Sequence, residues 1–339
     1  MARINLLTIH YGQCYGAVMQ TYATCRLLEQ EGHTVCVINL ITPRQKGNWK
    51  TLRFWKDCIS EFQFWHFKKK YFSKLTNKAY SIDKINLPDA DLTIVGSDQV
   101  WNRDITGDFG KTFFLDYVKD QRKIALSSSF GKEHWIEDDI YTLQVRELLS
   151  KFDAISVRES AGVKIVDDVM GLNAINLVDP TLAYGRFDDL VLHNRRLKQV
   201  FPFLLLNDSA ATQKAEYIAE QLHLPLFRYS RITSKICRGP RFWLTNIKNS
   251  DYIITDSFHG LALSIIFRKH FFVLCASETK FNRLRSLLSL LNLEERYVES
   301  IDDFILRKNE LMKPINYDDI NYRLEIEKSR YKIFIQENI

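Results

Sequence analysis

Along most of this chain, short apolar runs stop at small or polar residues and give way at once to helical periodicity. Residues 3–9, 34–40, 90–95, 123–127, 154–157, 200–206, 226–229, 252–255 and 271–275 read as strands, and 17–30, 138–150, 210–222, 242–248 and 281–291 as helices. On the first helix Val18, Tyr22, Cys25 and Leu28 recur at helical spacing. Antiparallel neighbours need only a tight turn, whereas a helix between two strands makes a crossover and sets them parallel. The cycle pauses at the polar run 194–199, which reads as a linker, and then restarts. The expectation is an α/β protein of two Rossmann-like domains facing across a cleft. The first covers 1–193 and carries an insertion at 44–78; the second covers 194–300. A charged helical tail, 301–339, is free to cross back to the first. A length of 339 residues suits two domains.

Open parallel sheets bind ligands at the carboxyl ends of their strands, so the polar residues that end each run are the candidates. The run 252–255 ends in Asp256-Ser257-Phe258-His259-Gly260, with a helix-like run directly after it. A helix start favours a bound anion, and histidine is the residue type in this run that can exchange a proton near neutral pH. His259 is either aimed at an anionic ligand or a satisfied core or capping residue. A second ending is Gly96-Ser97-Asp98-Gln99-Val100-Trp101-Asn102. Carboxylate, amides and an indole suit a sugar; a turn around a buried tryptophan is the alternative. A third is Cys14-Tyr15-Gly16-Ala17 with Gln20 one turn on, a glycine loop without G-x-G-x-x-G and so without support for a dinucleotide. Arg158 at a strand end, Arg238 and Arg241 around Gly239-Pro240, and Arg283 and Arg285 are anion clamps or plain surface residues.

Other chemistry is excluded by absence of its pattern. G-x-S-x-G, H-E-x-x-H and a P-loop are missing, and the six cysteines form no C-x-x-C pair, so neither a metal nor a redox dithiol is expected. No apolar run approaches the roughly 18 residues that cross a bilayer, and scattered thiols fit a reducing cytoplasm. The charge of +6 is uneven: residues 44–78 hold ten Lys or Arg against Asp57 and Glu61, with nine aromatics among them. Trp55, Ile59, Phe62 and Trp65 fall near helical spacing ahead of Lys68-Lys69-Lys70. This stretch suits peripheral contact with an anionic membrane, or a helical hairpin packing its aromatics on the core. A nucleic-acid groove fits less well, and no nucleic-acid partner is expected.

Together these segments resemble the polysaccharide pyruvyl transferase family. The matching pieces are Tyr15-Gly16-Ala17 with Gln20, Val95 to Asn102, Ser156-Val157-Arg158-Glu159, Asp179-Pro180-Thr181, Gly239-Pro240 with Trp243-Leu244, and Thr255 to Gly260. The resemblance implies a GT-B-like architecture and transfer of a pyruvyl group from phosphoenolpyruvate to a sugar as a cyclic ketal. It implies a sugar or lipid-linked oligosaccharide acceptor at the inner face of the cell membrane, and no cofactor beyond the donor substrate. It makes His259 the catalytic acid. Asp98 would be a base; Arg158, Arg241, Asp256, Ser257 and Gly260 would hold the donor; Tyr15, Gln20, Ser97, Gln99, Trp101 and Asn102 would hold the acceptor. Where relatives often carry Arg, this chain has Ser257, and where they carry Asn it has Cys14. Arg158, Arg241 or the helix start at Gly260 would then take the phosphate charge. Two other readings share the architecture: a nucleotide-sugar glycosyltransferase, and a non-catalytic relative that binds a glycan or a partner.

Overall fold

The computed structural model describes residues 1–41, 52–205, 209–228, 239–274 and 278–339. Leu206, Tyr229, Arg238, Cys275 and the first part of the basic stretch, 44–51, lie outside them. Its contacts divide the chain into two units.

The first unit is Met1–Lys46, Lys68–Tyr184 and Ile326–Ile339. It is built on a sheet of seven strands: β1 (Arg3–Leu7), β2 (Thr34–Val37), β3 (Lys74–Leu75), β4 (Leu92–Val95), β5 (Arg122–Ser128), β6 (Ala154–Val157) and β7 (Ile175–Asn176). All pairings are parallel, in the order β3-β2-β1-β4-β5-β6-β7. A parallel strand covered on both faces is apolar throughout rather than alternating, and every residue of β4 is buried. Helix α1 (Tyr15–Gln30) follows β1 and buries the whole predicted stripe of Val18, Tyr22, Cys25 and Leu28. The chain runs one way from β1 to β2 and β3, and the other way from β4 onward. The reversal between β1 and β4 opens a crevice at their carboxyl ends.

The second unit is Gly47–Phe67 and Gly185–Glu325. Its sheet has three parallel strands, β8 (Leu197–Phe203), β9 (Ser250–Thr255) and β10 (His270–Val273), in the order β10-β9-β8. Parallel bridges extend it at both edges, Val200 to Leu226 and Val273 to Tyr297. Read across, the rows run 226, β8, β9, β10, 297. The order therefore reverses between β8 and β9, which makes a second switch point.

Three sequence expectations shift. The polar run 194–199 is not a linker throughout, since Leu197 to Gln199 begin β8. Gln199 is accommodated there because its amide reaches Ser250 Oγ at 2.9 Å. The division falls after Tyr184, and the final helix, Tyr317–Asn338, spans both groupings, its residues from Ile326 counting with the first unit. Helix α2 (Leu52–Tyr71) was expected in the first domain, yet its residues to Phe67 group with the second unit. The reason is local: Gln63 packs so closely on Gly239 that a Cβ there would stand 3.1 Å from Gln63 Oε1. No helix among the described residues is long and apolar enough to cross a membrane.

Candidate functional site

The first crevice is lined by the loops that leave β1 and β4. Thr8 ties them together by donating its hydroxyl to the Ser97 carbonyl at 3.1 Å. Gly96 has φ +114°, and a Cβ there would lie 2.3 Å from the Leu126 carbonyl oxygen, so only glycine lets β4 end against β5. Asp98, with φ +70°, turns its carboxylate back to accept from the Gln99 N–H at 2.9 Å. Tyr11 comes from the β1 loop, and burial and the Asp98 carboxylate push its phenol up to about 12. Its hydroxyl is buried with no hydrogen-bond partner among the described residues.

Beneath this loop pair lies a buried charge cluster. Arg158 donates from Nη1 to Asp179 at 2.9 Å and from Nε to Glu159 at 2.9 Å, and Nη1 stands 3.8 Å from Asp98. The Arg158 side chain is 1% exposed and that of Asp179 0%. Burial alone would lower the guanidinium pKa, but Glu159, Asp179 and Asp98 outweigh it and hold it above the usual range. Three serines at the end of β5 stitch the cluster to its neighbours. Ser127 donates to the Val178 carbonyl, Ser128 to the Val95 carbonyl and Ser129 to Glu159. Sequence reading missed these serines and Tyr11, although each sits at the strand-end position that signalled the others.

The expected acceptor residues separate into two groups. Tyr15 and Gln99 are partly exposed, as is Asp98. The rest serve the scaffold. Trp101 is a core residue: its indole N–H donates to the Phe113 carbonyl at 3.0 Å and its ring stacks on Phe114 at 5.5 Å. The apolar cluster beside β4 and β5 takes the ring away from any sugar. Asn102 caps the short helix Arg103–Thr106 and donates to Gln99 Oε1 at 2.9 Å. Ser97 is 0% exposed and donates to the Ser127 carbonyl. Gln20, also 0% exposed, places its amide nitrogen within 3.0 Å of the Thr8 hydroxyl and the Ile9 carbonyl, bracing the β1 loop on α1.

His10, in that same loop, is 0% exposed, with Nδ1 at 3.1 Å from the Thr8 carbonyl and Nε2 at 3.1 Å from the Asn39 side chain. Burial lowers its pKa from 6.5 to about 4, with Lys68 adding to the effect. The unfolded chain therefore binds a proton that the folded chain refuses between those two values. Stability from this residue is complete above pH 6.5 and is lost as pH falls towards 4, by at most about 3 kcal/mol. Urea midpoints measured between pH 7.5 and 4.5 should fall more steeply for the parent than for His10→Gln. Parallel curves would show that His10 titrates normally.

The second crevice lies between the loops after β8 and β9. Asp256 joins them, accepting from the Leu205 N–H at 2.6 Å. Thr255 donates its hydroxyl to the Phe203 carbonyl at 2.8 Å and accepts from the Ser257 N–H at 3.0 Å. Ser257 is the N-cap of helix Phe258–Ile266, and its hydroxyl accepts from the Gly260 N–H. His259 thus occupies the first turn of a helix that leaves a switch point. It is 8% exposed, with its ring edge-on to Phe258 at 5.4 Å.

All five residues expected to hold the donor have structural work. Ser257 caps the helix and Asp256 fastens the neighbouring loop. Arg241 donates from Nε to the Leu190 carbonyl at 2.8 Å, and Arg158 is held in the first unit by carboxylates. Gly260 is a packing glycine: a Cβ would fall 2.3 Å from Thr255 Oγ1 and 3.0 Å from Phe203 Cδ1. Thr255 cannot turn aside without losing two hydrogen bonds. Gly260→Ala should destabilise the protein by about 2–3 kcal/mol, the usual scale for overpacking, seen as a drop in the urea midpoint. An unchanged midpoint would mean that the helix simply lifts off the strand.

The architecture has solved counterparts. Arabidopsis thaliana UGT89C1 is similar over 99% of both chains at 8% identity, with a TM-score of 0.51. The same protein complexed with UDP-L-rhamnose gives 0.50 at 6% identity, over 98% of this chain and 99% of that one. The Streptomyces sp. SF2575 glycosyltransferase SsfS6 matches 99% of both chains at 11% identity, with a TM-score of 0.41. At 6–8% identity the likeness to UGT89C1 concerns the fold alone, a GT-B-like one. Comparison with curated proteins gives no match. The polysaccharide pyruvyl transferase family matches residues 15–274. With a match that begins at Tyr15 beside the first crevice and runs past His259 in the second, the chain belongs to the polysaccharide pyruvyl transferase family.

Proposed function

We propose that the protein transfers the pyruvyl group of phosphoenolpyruvate to two hydroxyls of one sugar in a polysaccharide repeat unit, carried on a lipid. The observation that carries this reading is His259, an imidazole in the first turn of a helix at a switch point, within the family match. With Arg158 and Arg241 committed to the scaffold, the charge of the donor falls to the backbone N–H groups and dipole at the start of helix Phe258–Ile266.

The steps follow from the donor's chemistry. His259, as imidazolium, gives a proton to the methylene carbon, and the π electrons of the C=C bond form the new C–H bond. The adjacent carbon becomes oxocarbenium-like and bonds to one sugar oxygen, whose proton passes to a base. The bond from this carbon to the phosphate oxygen then breaks, and the second hydroxyl bonds in its place and loses its proton. The products are a cyclic ketal and phosphate. The protein would work at the inner face of the cell membrane, where lipid-linked acceptors are reached.

Phosphate release from phosphoenolpyruvate tests this, with and without galactose-, mannose- and glucosamine-type acceptors, free and lipid-linked. Acceptor-dependent release is the expected result. Tight binding of a nucleotide sugar with no binding of phosphoenolpyruvate would overturn the reading in favour of glycosyl transfer.

A further inference from the structure

The aromatic stripe that stands out in α2 is not the face that packs inward. Ser60, Phe64 and Phe67 are each 2% exposed, whereas Trp55, Ile59, Phe62 and Trp65 are 57%, 40%, 61% and 50% exposed. At 3.6 residues per turn, these four share one side of the helix with His66, Lys69 and Lys70, all exposed as well. Asp57 projects from the opposite side and Glu61 stands at the edge of the stripe, one turn before Trp65, so Lys69 and Lys70 outnumber the one acid that borders it. The side chains form a connected patch: the Phe62 ring lies 5.7 Å from that of Trp65 and 6.2 Å from that of His66.

A lone exposed aromatic needs no explanation, but a connected apolar patch marks a contact surface. The chemistry of its rim decides which kind. Protein interfaces are depleted in lysine, while lysines at one end of an aromatic helix face are what phosphate headgroups above an acyl layer attract. We propose that this face of α2 lies in the headgroup layer of an anionic lipid membrane. Trp55, Ile59, Phe62 and Trp65 sit at the acyl boundary, and Lys69 and Lys70 pair with lipid phosphates. The proposal does not depend on which donor the protein uses.

The test is co-sedimentation of the full chain with phosphatidylcholine vesicles, with and without phosphatidylglycerol. Binding is expected to the anionic vesicles, weakening as salt rises. Lys69→Glu/Lys70→Glu should lose roughly fivefold or more per lysine. Trp55→Ser/Phe62→Ser/Trp65→Ser should lower partitioning at least about tenfold. Because these side chains face solvent, the thermal unfolding of both variants should match the parent, which separates lost docking from lost folding. Absence of binding at low salt, or equal binding by the triple variant, overturns the proposal. So does a parent that is dimeric in the ultracentrifuge, becomes monomeric in the triple variant and ignores vesicles; a second copy would then be the occupant.

Discussion

Arg158→Met should lower the free energy of unfolding by about 3–5 kcal/mol, the scale for removing one partner of a buried ionic group. Methionine keeps most of the stem volume, so packing changes little and electrostatics dominates. What remains is Asp179 at 0% side-chain exposure, Glu159 at 10% and Asp98 at 13%, without the cation that now balances them. The cost should shrink in acid, because carboxylates stripped of a cation protonate at higher pH. A urea titration at pH 7.5 and again at pH 5 reads both effects. Asp179→Asn in the Arg158→Met background should recover part of the loss, since the amide can still accept from Thr181, which now donates its N–H and hydroxyl to Asp179 Oδ1 at 2.9 and 2.6 Å. A shift below about 0.5 kcal/mol, the range of ordinary surface changes, would show that the cluster is more hydrated than its burial implies.

His259→Gln is expected to reduce turnover by on the order of 10²-fold or more, the contribution of a positioned general acid. Glutamine has similar reach and can donate a hydrogen bond, but it cannot deliver a proton. The loss should therefore fall on kcat, with the KM for the donor changed far less, because the helix start proposed to hold the anion is untouched. Stopped assays of phosphate release over a donor series give the split. Turnover close to that of the parent would remove His259 from catalysis and leave it as a packing residue beside Phe258.

Much of the architecture was legible in the sequence because parallel strands buried on both faces leave unbroken apolar runs. Leu92 to Val95 and Tyr252 to Thr255 were visible on that account, while the polar Ser250 and Asp251 that begin β9 were not. What escaped was short or polar. The two-residue strands β3 and β7 are too brief for a pattern to register, and the start of β8 was masked by Lys198 and Gln199. The candidate site was legible as position but not as role. The sequence pointed to Ser97, Trp101, Asn102, Gln20 and Arg158, and each does stand near a strand end. Which way a side chain turns there depends on partners distant in the chain, such as Phe113 for Trp101 and Asp179 for Arg158. Periodicity carries no information about such pairs. The aromatic stripe of α2 shows the same limit: its spacing predicted a helix face correctly, while the inward face belongs to Phe64 and Phe67.

The layering of the first crevice has an evolutionary consequence. The residues that hold the loops, Gln20, Ser97, Asn102 and Arg158, are buried, while Tyr15 and Gln99 meet the surroundings. Substitutions at open positions usually change stability within about 0.5 kcal/mol, whereas those in a buried polar network change it several times more. Selection for a new ligand and selection for folding therefore act on different residues around one crevice. A lineage can vary what the crevice touches without renegotiating how it is built.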